Sequence, residues 1–193
     1  MRWALVMVLG IGCGCGGGRK AAARMPSAAE VAAFDRFRQP ERVLAALALS
    51  PGQIVADVGA GRGYFTHRIA RAIGPGGRVV ATDIDAAALA AIGPASDEEA
   101  AIEPRLVAPD DPGLERKSYD RILLAEVDHL LADRAGYLAR LARALAPGGK
   151  IAVSNRRIYR APLIAAAARA GLSVASERTD LPDHFFVLLE ARQ

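Results

Sequence analysis

A run of alternating glycines separates a short apolar segment from a stretch with helical periodicity, and it constrains the fold more than any other feature of this chain. The apolar segment is Ile54–Val58, the glycines are Gly59, Gly61 and Gly63, and the helical pattern covers 64–73. Glycines at such a junction let the backbone turn sharply and approach a ligand closely. The segment therefore predicts a strand, a loop and a helix belonging to an α/β sheet.

Strand and helix patterns alternate along the rest of the chain. Further strands are predicted at 78–82, 105–107, 121–125, 151–154, 172–177 and 185–189, and helices at 27–34, 41–49, 86–92, 137–145 and 163–170. This alternation favours a doubly wound parallel sheet with helices on both faces. The last two strands have no helix between them, so we expect them to pair antiparallel.

Charge is unevenly distributed along the 193 residues. The net charge is +4, but the first 24 residues hold four basic residues and no acidic one, so 25–193 is neutral. Composition therefore gives no reason to expect a nucleic-acid partner.

The segment 1–24 is predicted to be a targeting signal and tether. We place the domain at 25–193. A basic start and an apolar run at 3–12, too short to span a bilayer, are typical of a secretory signal. Gly12 and Cys13 also resemble the acylation site of a bacterial lipoprotein, although Gly10 stands where leucine is usual. Cys13 would then be a lipid anchor, the one membrane contact expected, in the cell envelope. Translation from Met25 would instead give a cytoplasmic protein.

Two acidic residues, each at the end of one of the first two predicted strands, suggest the ligand. Tyr64 stands where a dinucleotide fingerprint requires its third glycine, which disfavours a pyrophosphate and makes a nicotinamide-dependent oxidoreductase the weakest hypothesis. Asp57, just before the glycines, suits a cationic amine. Asp83, twenty residues after Gly63, suits the hydroxyls of a ribose. S-adenosylmethionine is a nucleoside with a cationic amino-acid tail and satisfies both.

Four segments, 55–66, 80–85, 119–124 and 145–150, resemble the ordered motifs of class I S-adenosylmethionine-dependent methyltransferases. The resemblance extends from about residue 38 to the C-terminus. It implies a Rossmann-like sheet of seven strands, mostly parallel with the last strand antiparallel. It also implies cofactor contacts from Asp57, Gly59, Ala60, Gly61, Gly63, Tyr64, Asp83, Ile84 and, near the adenine, Asp110.

Candidate catalytic residues follow the fourth predicted strand, where ligands of open α/β sheets bind. They are Glu126, Asp128 and His129, and His129 is the candidate base if the acceptor must lose a proton. Similar small methyltransferases often carry two adjacent histidines here, whereas this chain has Leu130 second. No cluster with metal-ligand spacing is found, so no metal is expected.

Other polar residues at this edge of the sheet can be interpreted in two ways. Asn155, Arg156 and Arg157 either contact an acidic acceptor or are solvated. His184 either faces the site or only begins the last strand, and we expect His67 on the surface.

The leading hypothesis is a methyltransferase that uses S-adenosylmethionine and acts on an unidentified small-molecule acceptor. The alternative is a noncatalytic binding module of the same fold anchored in the cell envelope, because S-adenosylmethionine is made in the cytoplasm. Sequence alone does not give the acceptor or the oligomeric state.

Overall fold

One seven-stranded sheet organises the computed structural model, which describes residues 35–192. Its strands are β1 (Ile54–Val58), β2 (Arg78–Asp83), β3 (Ala101–Leu106), β4 (Tyr119–Ala125), β5 (Leu145–Arg156), β6 (Leu172–Arg178) and β7 (His184–Ala191). They lie in the order β3-β2-β1-β4-β5-β7-β6.

The pairing of the strands confirms the predicted α/β fold class. Strand β1 pairs parallel with β2 on one side and with β4 on the other. Strand β7 lies antiparallel between β5 and β6, so the last strand is the antiparallel one. The strand order reverses between β1 and β4, and such a switch point leaves a crevice at the carboxyl ends of the strands.

Helices cover both faces of the sheet. They are α1 (Pro40–Leu47), α2 (Thr66–Ile73), α3 (Ala86–Ala90), α4 (Arg134–Ala144) and α5 (Arg160–Arg169), with short 3-10 helices at Asp128–Leu130 and Arg157–Tyr159. Successive side chains of a strand point to opposite faces. In β4, Leu123 accordingly packs in the core beneath α1 and α2, and Leu124 packs in the core beneath α4 and α5.

The described chain begins with four helical residues, 35–38, that precede α1. Gln39 separates the two helical segments with a left-handed backbone, φ 48°, and Pro40 begins α1. The helix predicted at 27–34 and the predicted targeting segment 1–24 lie outside the described residues. No helix between residues 35 and 192 is both long enough and apolar enough to cross a membrane.

Two strands begin at least four residues earlier than predicted. The third strand was predicted to begin at residue 105, but β3 begins at Ala101 and contains Pro104, which an edge strand tolerates because one side of it is unpaired. The fifth was predicted to begin at 151, yet β5 begins at Leu145, which pairs with Tyr119. A glycine is needed at 149 in this early part, since a Cβ there would lie 2.5 Å from the carbonyl oxygen of Tyr119.

Candidate cofactor and acceptor site

A cavity of about 560 Å³ opens at the switch point, at the carboxyl ends of β1, β2 and β4. This volume lies in the range of small-molecule sites. Its lining includes most of the predicted cofactor residues, namely Asp57, Gly59, Ala60, Gly61, Tyr64, Asp83 and Ile84. Glu126 is the one predicted catalytic residue among the lining residues.

The three glycines of the loop do not all serve the same structural purpose. All three have a positive φ, between 55° and 80°. A Cβ on Gly59 would lie 2.4 Å from a methyl group of Val127, and one on Gly63 would lie 3.1 Å from Ile92. A Cβ on Gly61 would meet no atom within 4 Å, although Gly61 lines the cavity. Gly61 therefore leaves open backbone for a ligand, while Gly59 and Gly63 allow close packing.

Asp83 at the end of β2 holds the glycine loop in place. Its carboxylate accepts hydrogen bonds from the backbone N–H of Gly61 at 2.8 Å and from that of Asp85 at 3.0 Å. A carboxylate has about four lone-pair sites, so Asp83 can still accept bonds from a ligand. The exposed side chain of Ile84 lies beside it at the cavity.

Asp57 is an acidic side chain that is only 2% exposed at the base of the cavity. Burial raises the pKa of Asp57 to about 6, against the lowering effect of a 2.7 Å hydrogen bond from the Thr66 hydroxyl, and nearby Asp83 raises it further. Because burial penalises the charged form, a cationic ligand that pairs with this carboxylate would offset the penalty.

Glu126, at the end of β4, is held between the side chains of Arg38 and His184. Its Oε2 accepts from Arg38 at 2.6 Å, and its Oε1 accepts from Nε2 of His184 at 2.8 Å. The His184 bond lowers the pKa of Glu126 to about 2, and Arg38 contributes in the same direction. The same bond raises the pKa of His184. Glu126 also has a strained φ of 58°, a feature that concentrates at functional sites.

Asp128 and His129 lie beyond the lining of the cavity, in a cluster with Asn155 from β5. Asp128 is fully buried and accepts from Asn155 at 2.5 Å, and burial raises the pKa of Asp128. Nδ1 of His129 lies 2.9 Å from the same Asn155 amide nitrogen. The His129 ring stacks on Tyr159, with ring centroids 4.3 Å apart.

The remaining predicted positions are spread around the site. Asp110 is exposed and follows Pro109, which lines the cavity. Arg157 donates to the carbonyls of Thr179 and Leu181, a structural role.

The two other histidines differ from each other. His184 is buried and reaches the site through Glu126. His67, expected on the surface, is half-buried between the carboxylate of Glu99 and the carbonyl of Ile92, because α2 packs closely against the loop after α3.

Several cavity residues were not predicted from the sequence. They include Arg38, the residues 107–109, Leu130, Leu131 and Tyr137. Arg38 precedes a left-handed residue and a proline, which is a weak signal of a bend, but no pattern pairs it with Glu126, 88 positions away. Tyr137 was predicted as a helix residue without a functional role.

Comparison with known proteins agrees with this geometry. Residues 56–151 match the family described as "Methyltransferase domain". A nocamycin O-methyltransferase from Saccharothrix syringae is 33% identical over 107 residues, which are 54% of this chain and 38% of that protein. Residues 56–151, about half of this chain, thus match a methyltransferase domain. The chain spans less than half the length of that curated relative.

Solved structures show that the fold of this methyltransferase domain is shared widely. A SAM-dependent methyltransferase from Aquifex aeolicus superposes with a TM-score of 0.73 at 20% identity, covering 81% of this chain and 92% of that one. A chain from the complex of the Haloferax volcanii Trm112 methyltransferase activator with the putative methyltransferase gives 0.69 at 17% identity, covering 86% and 95%. At these identities the likeness shows the fold alone.

The cofactor of this methyltransferase domain is S-adenosylmethionine, and the cavity fits it. The open backbone at Gly61 leaves room for a ligand beside the loop. Asp57 and Asp83 are two carboxylates on neighbouring strands, as a cationic amine and a ribose require. Among residues 35–192, no group of three or more His, Cys, Asp and Glu side chains could hold a metal ion.

Proposed function

We propose that this chain transfers the methyl group of S-adenosylmethionine to a small-molecule acceptor. The observation that carries this proposal is the extent of the cavity. It runs from the glycine loop and Asp83 to Glu126, Leu130 and Leu131 beyond β4, so one space can hold a donor and an acceptor together. The relative named as an O-methyltransferase favours an oxygen atom of a small molecule as the acceptor.

In this proposal the ends of β1, β2 and β3 hold the cofactor. Gly59, Ala60 and Gly61 contact its amino-acid tail, while Gly63 and Tyr64 shape the turn. Asp57 balances the charge of the tail amine. Asp83 and Ile84 contact the ribose, and the segment 107–110, including Asp110, lies beside the adenine. Holding donor and acceptor in line can account for roughly 7–11 kcal/mol of the barrier.

Calorimetric titration of the full chain tests the cofactor site. We expect S-adenosylmethionine and S-adenosylhomocysteine to bind and NAD not to bind. Asp83→Asn should weaken binding about 10- to 100-fold, since a hydrogen bond to a charged group contributes roughly 1.5–3 kcal/mol. Asp97→Asn is the matched control, because Asp97 is an exposed acid outside the cavity lining. Equal affinities of the two variants would remove Asp83 from the site.

We further propose that 1–24 acts as a lipoprotein-type signal and tether, and that the domain comprises 25–193. The support is the apolar run followed by Gly12 and Cys13. The intact mass of the protein isolated from its native cells provides the test. A mature chain that begins with lipid-modified Cys13 would support an envelope protein and revive the binding-module alternative. A chain that begins at Met25 would contradict the proposal.

A further inference from the structure

We infer that this site supplies no general base to the acceptor, and that His129 instead offers the acceptor a fixed hydrogen-bond donor. The acceptor is then an oxyanion that is already ionised near neutral pH, such as a carboxylate or an acidic phenol. This inference rests on the proposed methyltransferase function and specifies its substrate class.

The acceptor must approach from the β4 side of the cavity. The proposed cofactor contacts occupy the ends of β1, β2 and β3, which leaves the lining formed by Glu126, Val127, Leu130 and Leu131. The groups on or next to this side that could accept a proton at neutral pH are Glu126, His184, Asp128 and His129. Asp128 is fully buried and outside the cavity lining, so an acceptor in the cavity cannot reach it.

Glu126 and His184 neutralise each other and are unsuited to proton abstraction. Both carboxylate oxygens of Glu126 accept bonds from cations. Nδ1 of His184 lies 3.1 Å from the carbonyl oxygen of Pro182, and its Nε2 lies 2.8 Å from Glu126. Both partners of the ring are acceptors, so both ring nitrogens donate and the ring has no lone pair left for a proton.

The other ionisable residues of the cavity are also unsuited to take a proton from the acceptor. Tyr64 donates to Asp35, and burial raises the pKa of Tyr137 to about 12, so neither phenol loses its proton at neutral pH. Asp57 and Asp83 lie at the ends of β1 and β2, where Thr66 and backbone N–H groups donate to them.

Asn155 determines which nitrogen of His129 carries the proton. Its Oδ1 accepts from the backbone N–H of Arg156 at 2.7 Å, which fixes the orientation of the amide. Its Nδ2 therefore donates to Asp128 at 2.5 Å and to Nδ1 of His129 at 2.9 Å. Nδ1 is an acceptor in this arrangement, so neutral His129 carries its proton on Nε2.

The Nε2–H group of His129 is available to a ligand. Among the residues that the structure describes, Nε2 of His129 has no hydrogen-bond partner, and the side chain is partly exposed. Stacking on Tyr159 fixes the plane of the ring. His129 is outside the cavity lining, but Leu130, the next residue, lines the cavity and is 73% exposed. In the proposed complex the Nε2–H group reaches the acceptor from beside Leu130.

The reaction then needs no proton transfer. A lone pair of the acceptor oxygen forms the O–CH₃ bond, and the carbon–sulfur bond of the sulfonium breaks with its electron pair remaining on sulfur. The products are a neutral methyl ester or ether and a neutral thioether. Asn155 is a positioning residue in this scheme, since it acts through His129.

The tautomer of His129 can be measured without knowing the acceptor. The full chain has three histidines, so long-range ¹H–¹⁵N spectra of the labelled protein are assignable with His67→Gln and His184→Gln variants. We expect the neutral ring of His129 to carry its proton on Nε2, and Asn155→Leu to abolish that preference. A proton on Nδ1 of His129 in the unaltered chain would overturn the inference.

Probe acceptors test the substrate class. We expect release of S-adenosylhomocysteine with benzoate or 4-nitrophenol and little with 4-methylphenol, and the rate should follow the ionisation of the probe. His129→Leu should lower kcat/KM about 10- to 100-fold, and His129→Gln, whose amide donates but accepts no proton, should recover most of that loss.

Three outcomes would contradict the substrate class. One is turnover of 4-methylphenol as fast as of 4-nitrophenol, and another is an equal loss in the Leu and Gln variants. The third is no turnover of any probe while the cofactor still binds. If the cofactor did not bind, the proposed function would fail, and the spectra would still decide the role of His129.

Discussion

The two sides of the cavity are built differently. On the β1 and β2 side, backbone groups and short-range contacts form the site. Gly61 binds Asp83 over 22 positions, and Thr66 binds Asp57 over nine. On the side of β4, β5 and β7, side chains from distant segments form it. Arg38 and His184 reach Glu126 over 88 and 58 positions.

Because of this difference, one side suits a ligand that is the same in every reaction, and the other suits a ligand that varies. A backbone cradle recognises parts of a ligand that are the same in every reaction, because its geometry depends on few side chains. A network of side chains can come to bind a different methyl acceptor when one of its residues is substituted. Family likeness therefore identifies the cofactor of this chain and leaves the acceptor to its own residues.

The largest expected effect comes from a substitution in the glycine loop, at the point where the loop contacts Val127 after β4. Gly59→Ala places a methyl group against Val127 at a φ of 71°, so the free energy of unfolding should fall by about 2–4 kcal/mol in urea denaturation. Gly61→Ala is the matched control. Its Cβ meets no atom, so the cost is about 1 kcal/mol from the left-handed backbone alone. Equal destabilisation by both variants would show that packing against Val127 does not distinguish them.

A second test uses pH to sharpen the role of Asp57. Its pKa is raised to about 6, so the side chain is a carboxylate above that pH and becomes neutral below it. Affinity for S-adenosylmethionine should therefore be constant above about pH 7 and fall as the pH drops through 6, approaching tenfold per pH unit. Calorimetry on Asp57→Asn should give weaker binding that no longer changes across this range. A flat profile for the unaltered chain would place the cofactor amine elsewhere.

The smallest expected effect concerns the side-chain network. The lowered pKa of Glu126 stabilises the fold above its usual value of 4.5, and this contribution is lost as the pH falls toward 2. The raised pKa of His184 stabilises the fold below its usual value of 6.5, and this contribution is lost as the pH rises through the folded value. Glu126→Gln should thus lower the free energy of unfolding by about 1 kcal/mol near pH 5.5, because the ion pairs are partly exposed. Above pH 8 the two proteins should differ less in their free energy of unfolding. A difference that grows with pH would contradict the pairing of Glu126 with His184.

Much of the fold could be predicted from local sequence patterns. The apolar run Ile54–Val58 was predicted with the bounds that β1 has, since a buried parallel strand is a continuous hydrophobic segment. The edge strand β3 was poorly predicted, because none of its side chains is buried and Pro104 interrupts the pattern. The ends of α4 and β5 were also missed, since the pairing of Leu145 with Tyr119 is a tertiary contact.

The sequence by itself determined the glycine loop, the two acids at the ends of successive strands and the alternation of strands and helices. These features are local, because a strand, its loop and the following helix fix their own geometry within about twenty residues. Only the tertiary structure decided the state of the groups on the acceptor side. Glu126, His129 and His184 look like free acids and bases in the sequence. Their hydrogen-bond partners are Arg38, Asn155 and Pro182, which the fold alone brings within reach.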